Sequence, residues 1–287
     1  MTCGAPLSLI NLATSIRLTD HIFTGVYHPE GESERLIGQV HQSPNMNSAY
    51  LSFILSSEDT DPRNLVFFLE GVIKHVGQWG AKQVVADLDI NSESFAYFRQ
   101  AGFSVLAKQR VYKCCSADRR KPVLDRGWQT WTSDDISAIQ RLYQTLVPPL
   151  IQPVEPLTRR EMLGLVYFDE HGALQAYADL VYGPVGVWIS PMIHPRSSEN
   201  ISDLLAQMLF DLPECSGRPI FIAVRSYQPW VEQALGNLNT NPGPEQALLV
   251  RYLALQQRVK PEFTFASIEN GKPEPTVPLA PIKSQQK

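Results

Sequence analysis

Two stretches of this chain repeat one order of apolar patterns at an offset of about 136 residues, and that repeat narrows the folds open to it. In the first, Lys82-Gln83-Val84-Val85-Ala86-Asp87-Leu88 reads as a short buried strand; in the second, Arg218-Pro219-Ile220-Phe221-Ile222-Ala223-Val224 stands in its place. Each strand follows an amphipathic helix and a short turn, and each precedes a short helix and a final strand. An apolar strand lies before each long helix, Ala49 to Leu55 in one case and Val187 to Ile193 in the other. Strand–helix–strand–helix–strand, twice over, predicts an α/β chain of mixed sheets arranged in tandem. The plainer alternative is two unrelated α/β stretches, since strands and helices alternate in many folds.

The first repeat shows the pattern most clearly. Leu65, Phe68, Leu69, Val72, Ile73 and Val76 recur at three- and four-residue spacing, one core-facing stripe. Pro62 suits the start of that helix because its missing N–H is not needed there, and Gly80 stops it. Ser92 to Gln100 reads as the second helix, closed by Gly102, and Val105 to Tyr112 as the returning strand. Ser116 to Gly127 is charged and poor in apolar residues. The second half opens with a strand at Trp128 to Trp131, and Ser133 is the expected N-cap of a helix that ends before Pro148. Arg159 to Tyr167 fits helix or strand. Strands follow at Leu174 to Tyr182, Val185 to Ile193, Pro219 to Val224 and Gln246 to Ala254, with helices at Ile201 to Leu212 and Pro229 to Leu238. The expected domains are 1–117 and 128–258, joined by a linker at 118–127 and followed by a disordered tail at 259–287.

Composition sets the outer bounds. With 287 residues, 44% of them hydrophobic, the chain is long enough for two cores. A net charge of −4 and a single compact basic run, Arg119-Arg120-Lys121, argue against nucleic acid as a partner. Cys3, Cys114, Cys115 and Cys215 show neither metal-ligand spacing nor a disulfide framework, which fits a reducing, cytoplasmic location. No apolar run reaches the length of a membrane span, and the histidines form no metal motif.

The run Asn91-Ser92-Glu93-Ser94-Phe95-Ala96-Tyr97-Phe98-Arg99-Gln100-Ala101-Gly102-Phe103 resembles the GNAT acetyltransferase superfamily. That family carries an Asn, a small residue three on, a Tyr seven on and Gly-Phe eleven on; Asn91, Ser94, Phe98 and Gly102-Phe103 fall at those spacings. The resemblance covers 45–112 directly and 160–254 by repetition. It implies a mixed sheet splayed at its middle, with acetyl-coenzyme A between two strands and a small-molecule or peptide amine attacking the thioester directly.

The departures from the family pattern also point somewhere. The family's pyrophosphate loop needs glycines so that backbone amides can approach the phosphates. Ser56 to Phe68 has none: Arg63 stands for the basic residue, but Val66 and Phe68 replace the small ones. Glu58, Asp59 and Asp61 would repel a polyanion by on the order of one to several kcal/mol each. Phe98 replaces the tyrosine acid, and Tyr97 points off another face of the helix. The first repeat is therefore expected to have kept the frame and lost the reaction. In the second repeat the loop position holds His194-Pro195-Arg196-Ser197-Ser198-Glu199-Asn200, and Leu238-Asn239-Thr240 replaces Gly-Phe. Any surviving site is expected there. Arg196, Ser197, Ser198 and Asn200, with Asn91 in the first repeat, are the cofactor-binding candidates. His194 is the candidate base and Tyr227 the candidate proton donor. Asp179 is a lesser candidate that alternation turns toward solvent. Two functional readings stay open: an N-acyltransferase using acetyl-coenzyme A, or a non-catalytic binding or assembly module on the same fold.

Overall fold

The computed structural model describes residues 21–29, 35–44, 46–55, 61–114, 124–157, 163–183, 186–212, 218–238 and 240–253, all within one compact unit. The basic run 119–121, Glu58 and Asp59, most of the expected linker and the expected tail lie outside the described residues.

The first repeat comprises β1 (His21–Tyr27), β2 (Leu36–Gln42), β3 (Ser48–Leu55), α1 (Pro62–Gln78), β4 (Gln83–Asp89), α2 (Ser94–Gln100) and β5 (Ser104–Cys114). The second comprises β6 (Gln129–Thr130), a 3-10 turn (Ser133–Asp135), α3 (Ile136–Leu146), β7 (Leu163–Phe168), β8 (Leu174–Tyr182), β9 (Val187–Ile193), α4 (Ile201–Asp211), β10 (Ile220–Arg225), α5 (Pro229–Gly236) and β11 (Thr240–Tyr252). The fold is mixed α/β with the repeat the sequence predicts.

All strands join one sheet of order β1-β2-β3-β4-β11-β5-β10-β9-β8-β7-β6. That order exchanges the last strand of each repeat. β11, which ends the second repeat, pairs with β4 of the first; β5, which ends the first, pairs with β10 of the second. The two exchanged strands run antiparallel to each other at the centre. Equivalent side chains meet across this seam: Gln109 Nε2 donates to Gln246 Oε1 at 2.7 Å, and Lys108 Nζ lies 3.0 Å from Glu245 Oε2, each pair 137 residues apart in sequence. An approximate twofold axis therefore passes between β5 and β11.

Helices α1 and α2 pack on one face of the first repeat, and α4 and α5 on the matching face of the second. Helix α3 and the 147–157 segment cover the opposite face, where Val85, Ala107, Leu248 and Val250 from the seam share a core with Val166, Tyr177 and Met192. The six stripe residues of α1 are all buried.

The Gly-Phe spacing has a local physical cause. Gly102 ends α2 at φ +80°, its N–H donates to Arg99 O at 3.1 Å, and the Phe103 N–H reaches Phe98 O at 3.0 Å. These are the two bonds of a Schellman cap, and the buried Phe98 and Phe103 rings, 5.1 Å apart, supply its apolar contact. Phe98 thus closes the cap. A Cβ on Gly102 meets only ordinary contacts, so Gly102→Ala costs the left-handed backbone alone, about 1–2 kcal/mol, read as a shift in the urea midpoint at constant slope.

Some elements differ from their sequence reading. The N-cap after β6 is Thr132, not Ser133: its hydroxyl and N–H both pair with the Asp135 carboxylate. β11 begins six residues earlier than the alternation suggests, because Pro242–Glu245 is absorbed as an irregularity in the pairing with β5. Gly243 makes this possible, since a Cβ there would lie 2.9 Å from Val111 O. Residues 163–168 are strand, which settles the ambiguous Arg159 to Tyr167 stretch for its described part.

Candidate functional site

Both repeats keep a splay. β3 and β4 run parallel through Ser48↔Gln83, Ala49↔Val84 and Tyr50↔Val85, and their pairing ends there although both strands continue. β9 and β10 do the same after Ile189↔Ile222. Beyond that point each strand exposes backbone groups toward the gap, which must find other partners.

In the second repeat the chain fills its own gap. Gln228, 2% exposed, sits between β10 and α5. Its Nε2 donates to Pro191 O at 3.0 Å, and its Oε1 accepts the Ile193 N–H at 3.3 Å. Trp230 Nε1 donates to Ile193 O at 3.0 Å. The polar edge of β9 in the splay is thus held by two side chains of the same chain.

The loop after β9 is closed in a similar way. His194 N–H donates to Gln175 O, anchoring the strand end, while His194 Nδ1 accepts the Arg196 N–H at 3.1 Å. Ser197 N–H bonds His194 O at 3.1 Å, and Ser197 Oγ accepts the Glu199 N–H at 3.3 Å. Asn200 caps α4, its Oδ1 accepting from Ser202 N at 2.8 Å and Asp203 N at 3.4 Å. Two amides of the first turn of α4 that an anion would use, those of Ser202 and Asp203, are taken up by the Asn200 side chain. Arg196 and Ser198 are exposed. An open depression of about 320 Å³ lies beside this loop, lined in part by Ser197, Asn200, Ser202, Trp230 and Asn237.

The first repeat closes its helix start by another route. The Asp61 carboxylate accepts the Arg63 N–H at 2.8 Å and pairs with the Arg63 guanidinium at 2.9 Å. That hydrogen-bonding holds the Asp61 carboxyl below its ordinary range. A negative charge therefore sits at this helix start, and Arg63, which stands at the place of the family's basic residue, is engaged with it. Asn91 is exposed in the turn after β4, its N–H bonded to Asp89 Oδ1 at 2.9 Å.

Tyr227 belongs to a polar cluster on the α3 face of the sheet. Arg225, at the end of β10, bonds Asp87 of β4 at 3.2 Å and also pairs with Glu155 of the 147–157 segment. Burial opposes the Arg225 charge, but Glu155 and then Asp87 outweigh it and hold the guanidinium charged above its ordinary value. Burial, and then Glu155, push the Tyr227 hydroxyl well above its usual value, so it is a reluctant acid. Tyr143, pushed up to about 12 by burial and Glu155, donates to Glu155 O at 2.9 Å. Tyr50 OH donates to Val154 O at 2.6 Å, and Gln83 Nε2 to Pro153 O at 2.9 Å. Together these bonds tie the 147–157 segment to both repeats. Asp179 is half-buried rather than turned to solvent: it shares the face of the buried Tyr177, whose hydroxyl lies 3.5 Å from it.

Sequence reasoning missed Gln228, Trp230, Arg225, Asp87 and Glu155. Their signal is weak, because a polar residue in a strand end or turn reads as solvent-facing until its partner from another element is known. No group of metal-ligating side chains occurs among the described residues, and no helix among them is long and apolar enough to cross a membrane.

No protein-family model matches the sequence, and no curated protein matches it. Solved structures do. A functionally unknown conserved protein from Staphylococcus epidermidis superposes with a TM-score of 0.56 at 8% identity, over 80% of this chain and 94% of that one. A GCN5-related N-acetyltransferase from Kribbella flavida superposes with a TM-score of 0.50 at 13% identity, over 75% and 86%. A tandem GNAT protein from the clavulanic acid biosynthesis pathway gives 0.49 at 14%, over 82% and 83%. The fold of this chain is the GNAT fold; identities this low carry the fold alone.

Proposed function

We propose that this chain uses the GNAT fold as a binding or assembly module and that neither repeat transfers an acyl group as arranged. The single observation that carries this reading is the Gln228 bridge. Its amide occupies Pro191 O and Ile193 N in the splay where the resemblance would put acetyl-coenzyme A. The loop amides spent on His194, Ser197 and Asn200, and the Asp61 carboxylate in the first repeat, point the same way. The residues present do not fit the cofactor, so no catalytic step is routed through it. His194 acts instead as a loop-forming acceptor and Tyr227 as part of the Arg225 cluster.

A second reading has one observation in its favour: the splay persists in both repeats, and an open depression adjoins Asn200 and Trp230. On that reading the second repeat acylates an amine from acetyl-coenzyme A. Thiol release from acetyl-coenzyme A with a panel of amines and amino-terminal peptides separates the two. The module reading predicts no release above the uncatalysed rate. Release that saturates with amine and is lost in Tyr227→Phe would establish the other.

A further inference from the structure

The two edges of the sheet are unlike. β6 at one end is two polar residues long, a blunted edge. β1 at the other end is seven residues, HIFTGVY, with no Lys, Arg, Asp, Glu or Pro, and it pairs with β2 in unbroken register. No described segment pairs with its outer side. Edge strands in monomeric proteins carry a charge, a proline, a bulge or a cover, because their free N–H and C=O groups template pairing with another chain. None of these devices is present on β1 among the described residues.

The side chains at this margin share the same character. Val26 is 63% exposed and Ile22 39%, both on the face turned away from α1. Above β1, helix α1 reaches the strand through Phe68 and His75, the latter stacked on Phe23 with ring centres 3.8 Å apart. At about 100° per residue, Phe67, Gly71 and Gln78 fall on the flank beyond those residues, over the outer edge. The opposite flank carries Glu70, which pairs with Arg251 of β11. Phe67 is 64% exposed. Gly71 lies mid-helix, where glycine weakens a helix relative to alanine; a Cβ there would meet nothing within 4 Å. Among the described residues nothing packs where that side chain would stand.

We propose that β1 and α1 form the interface through which two copies of this chain pair about a twofold axis near Thr24. β1 runs antiparallel to β1 of the second copy, and the two α1 helices approach at Gly71. The occupant is a second copy because the margin complements itself. A twofold at Thr24 sets Ile22 against Val26 of the second copy, and no charge of β1 faces a like charge. β1 carries no Lys, Arg, Asp or Glu, and the exposed Lys74 shares the α1 flank of Phe67; for a chain of net charge −4, a margin without carboxylates is where two copies meet with least repulsion. The size is adequate: a margin about 24 Å long and about 20 Å deep, strand plus helix, presents roughly 500 Å² in projection, which side-chain relief raises toward the roughly 800 Å² per partner of a standard interface. The inference stands independently of the proposed function.

Sedimentation velocity of the full chain between about 1 and 100 μM tests it, with Val26→Lys and Gly71→Glu as two variants at exposed sites whose folding is checked by circular dichroism. The expected result is a dimer whose dissociation constant rises at least about 10-fold in each folded variant. In the wild type, exchange of the outward β1 amides slows as concentration rises. A wild-type chain that stays monomeric throughout, or a dimer that neither substitution weakens, overturns the proposal.

Discussion

Expressed separately, residues 1–117 and 118–287 are each expected to fail to fold cooperatively, whereas the two pieces made together copurify as one folded species. The reason is the strand exchange. Alone, the first piece leaves the inner side of β4 without β11, and the second leaves β10 without β5. β11 brings Ala247, Leu248, Leu249 and Val250, each at most 1% exposed, into contact with residues of the first repeat. Losing that burial costs on the order of 6 kcal/mol. A domain is stable by only about 5–15 kcal/mol in total. The unpaired backbone edges add to the loss. Far-UV circular dichroism melts and a tag pull-down check this. A sharp melt from either piece alone would show that the exchange is dispensable.

Arg225→Ala is the point substitution with the largest expected effect, a loss of about 3 kcal/mol, near the low end of what breaking a buried ion pair costs. The Arg225 side chain is 14% exposed and bonds two carboxylates from different elements, Asp87 and Glu155, that are 34% and 27% exposed. Removing the guanidinium leaves both charges facing each other with only partial access to water, which tempers the cost. At roughly 2–4 °C per kcal/mol for a chain of this size, the melting temperature falls by about 6–12 °C. Removing the charges together is expected to restore most of it: Arg225→Met with Asp87→Asn and Glu155→Gln should melt within a few degrees of wild type, because the penalty lies in the stranded charges. A triple variant as unstable as Arg225→Ala would instead assign the loss to packing.

How much of this was legible in the sequence depended on whether the determinant was local. α1 was clear because its stripe, its proline start and its glycine stop all lie within one stretch, and the structure places it at Pro62–Gln78. The Gly102-Phe103 signature was legible for the same reason: a Schellman cap is written in six consecutive residues. The strand exchange was not. β5 and β11 have the same apolar pattern whichever repeat they join, so no local feature distinguishes exchange from two closed sheets. The start of β11 was hidden by Pro242-Gly243-Pro244, which reads as a break and is in fact accommodated within the strand against β5. The Gln228 bridge was hidden for a third reason. Gln228 looks like a turn residue before a helix-starting proline, and only the splayed β9 edge, far away in sequence, gives its amide two backbone partners.

The most direct test of the central claim is a calorimetric titration of acetyl-coenzyme A into the full chain, with a thermal melt alongside. A ligand bound with a Kd of 10 μM and present at about 1 mM would stabilise the fold by about 2.7 kcal/mol, or roughly 5–11 °C. With Gln228, Asn200 and Asp61 closing the sites, the expected result is no saturable heat and no shift of the melt at that concentration. A saturable isotherm that is weakened by Arg196→Ala would show that the splay of the second repeat opens to admit the cofactor, and would contradict the account.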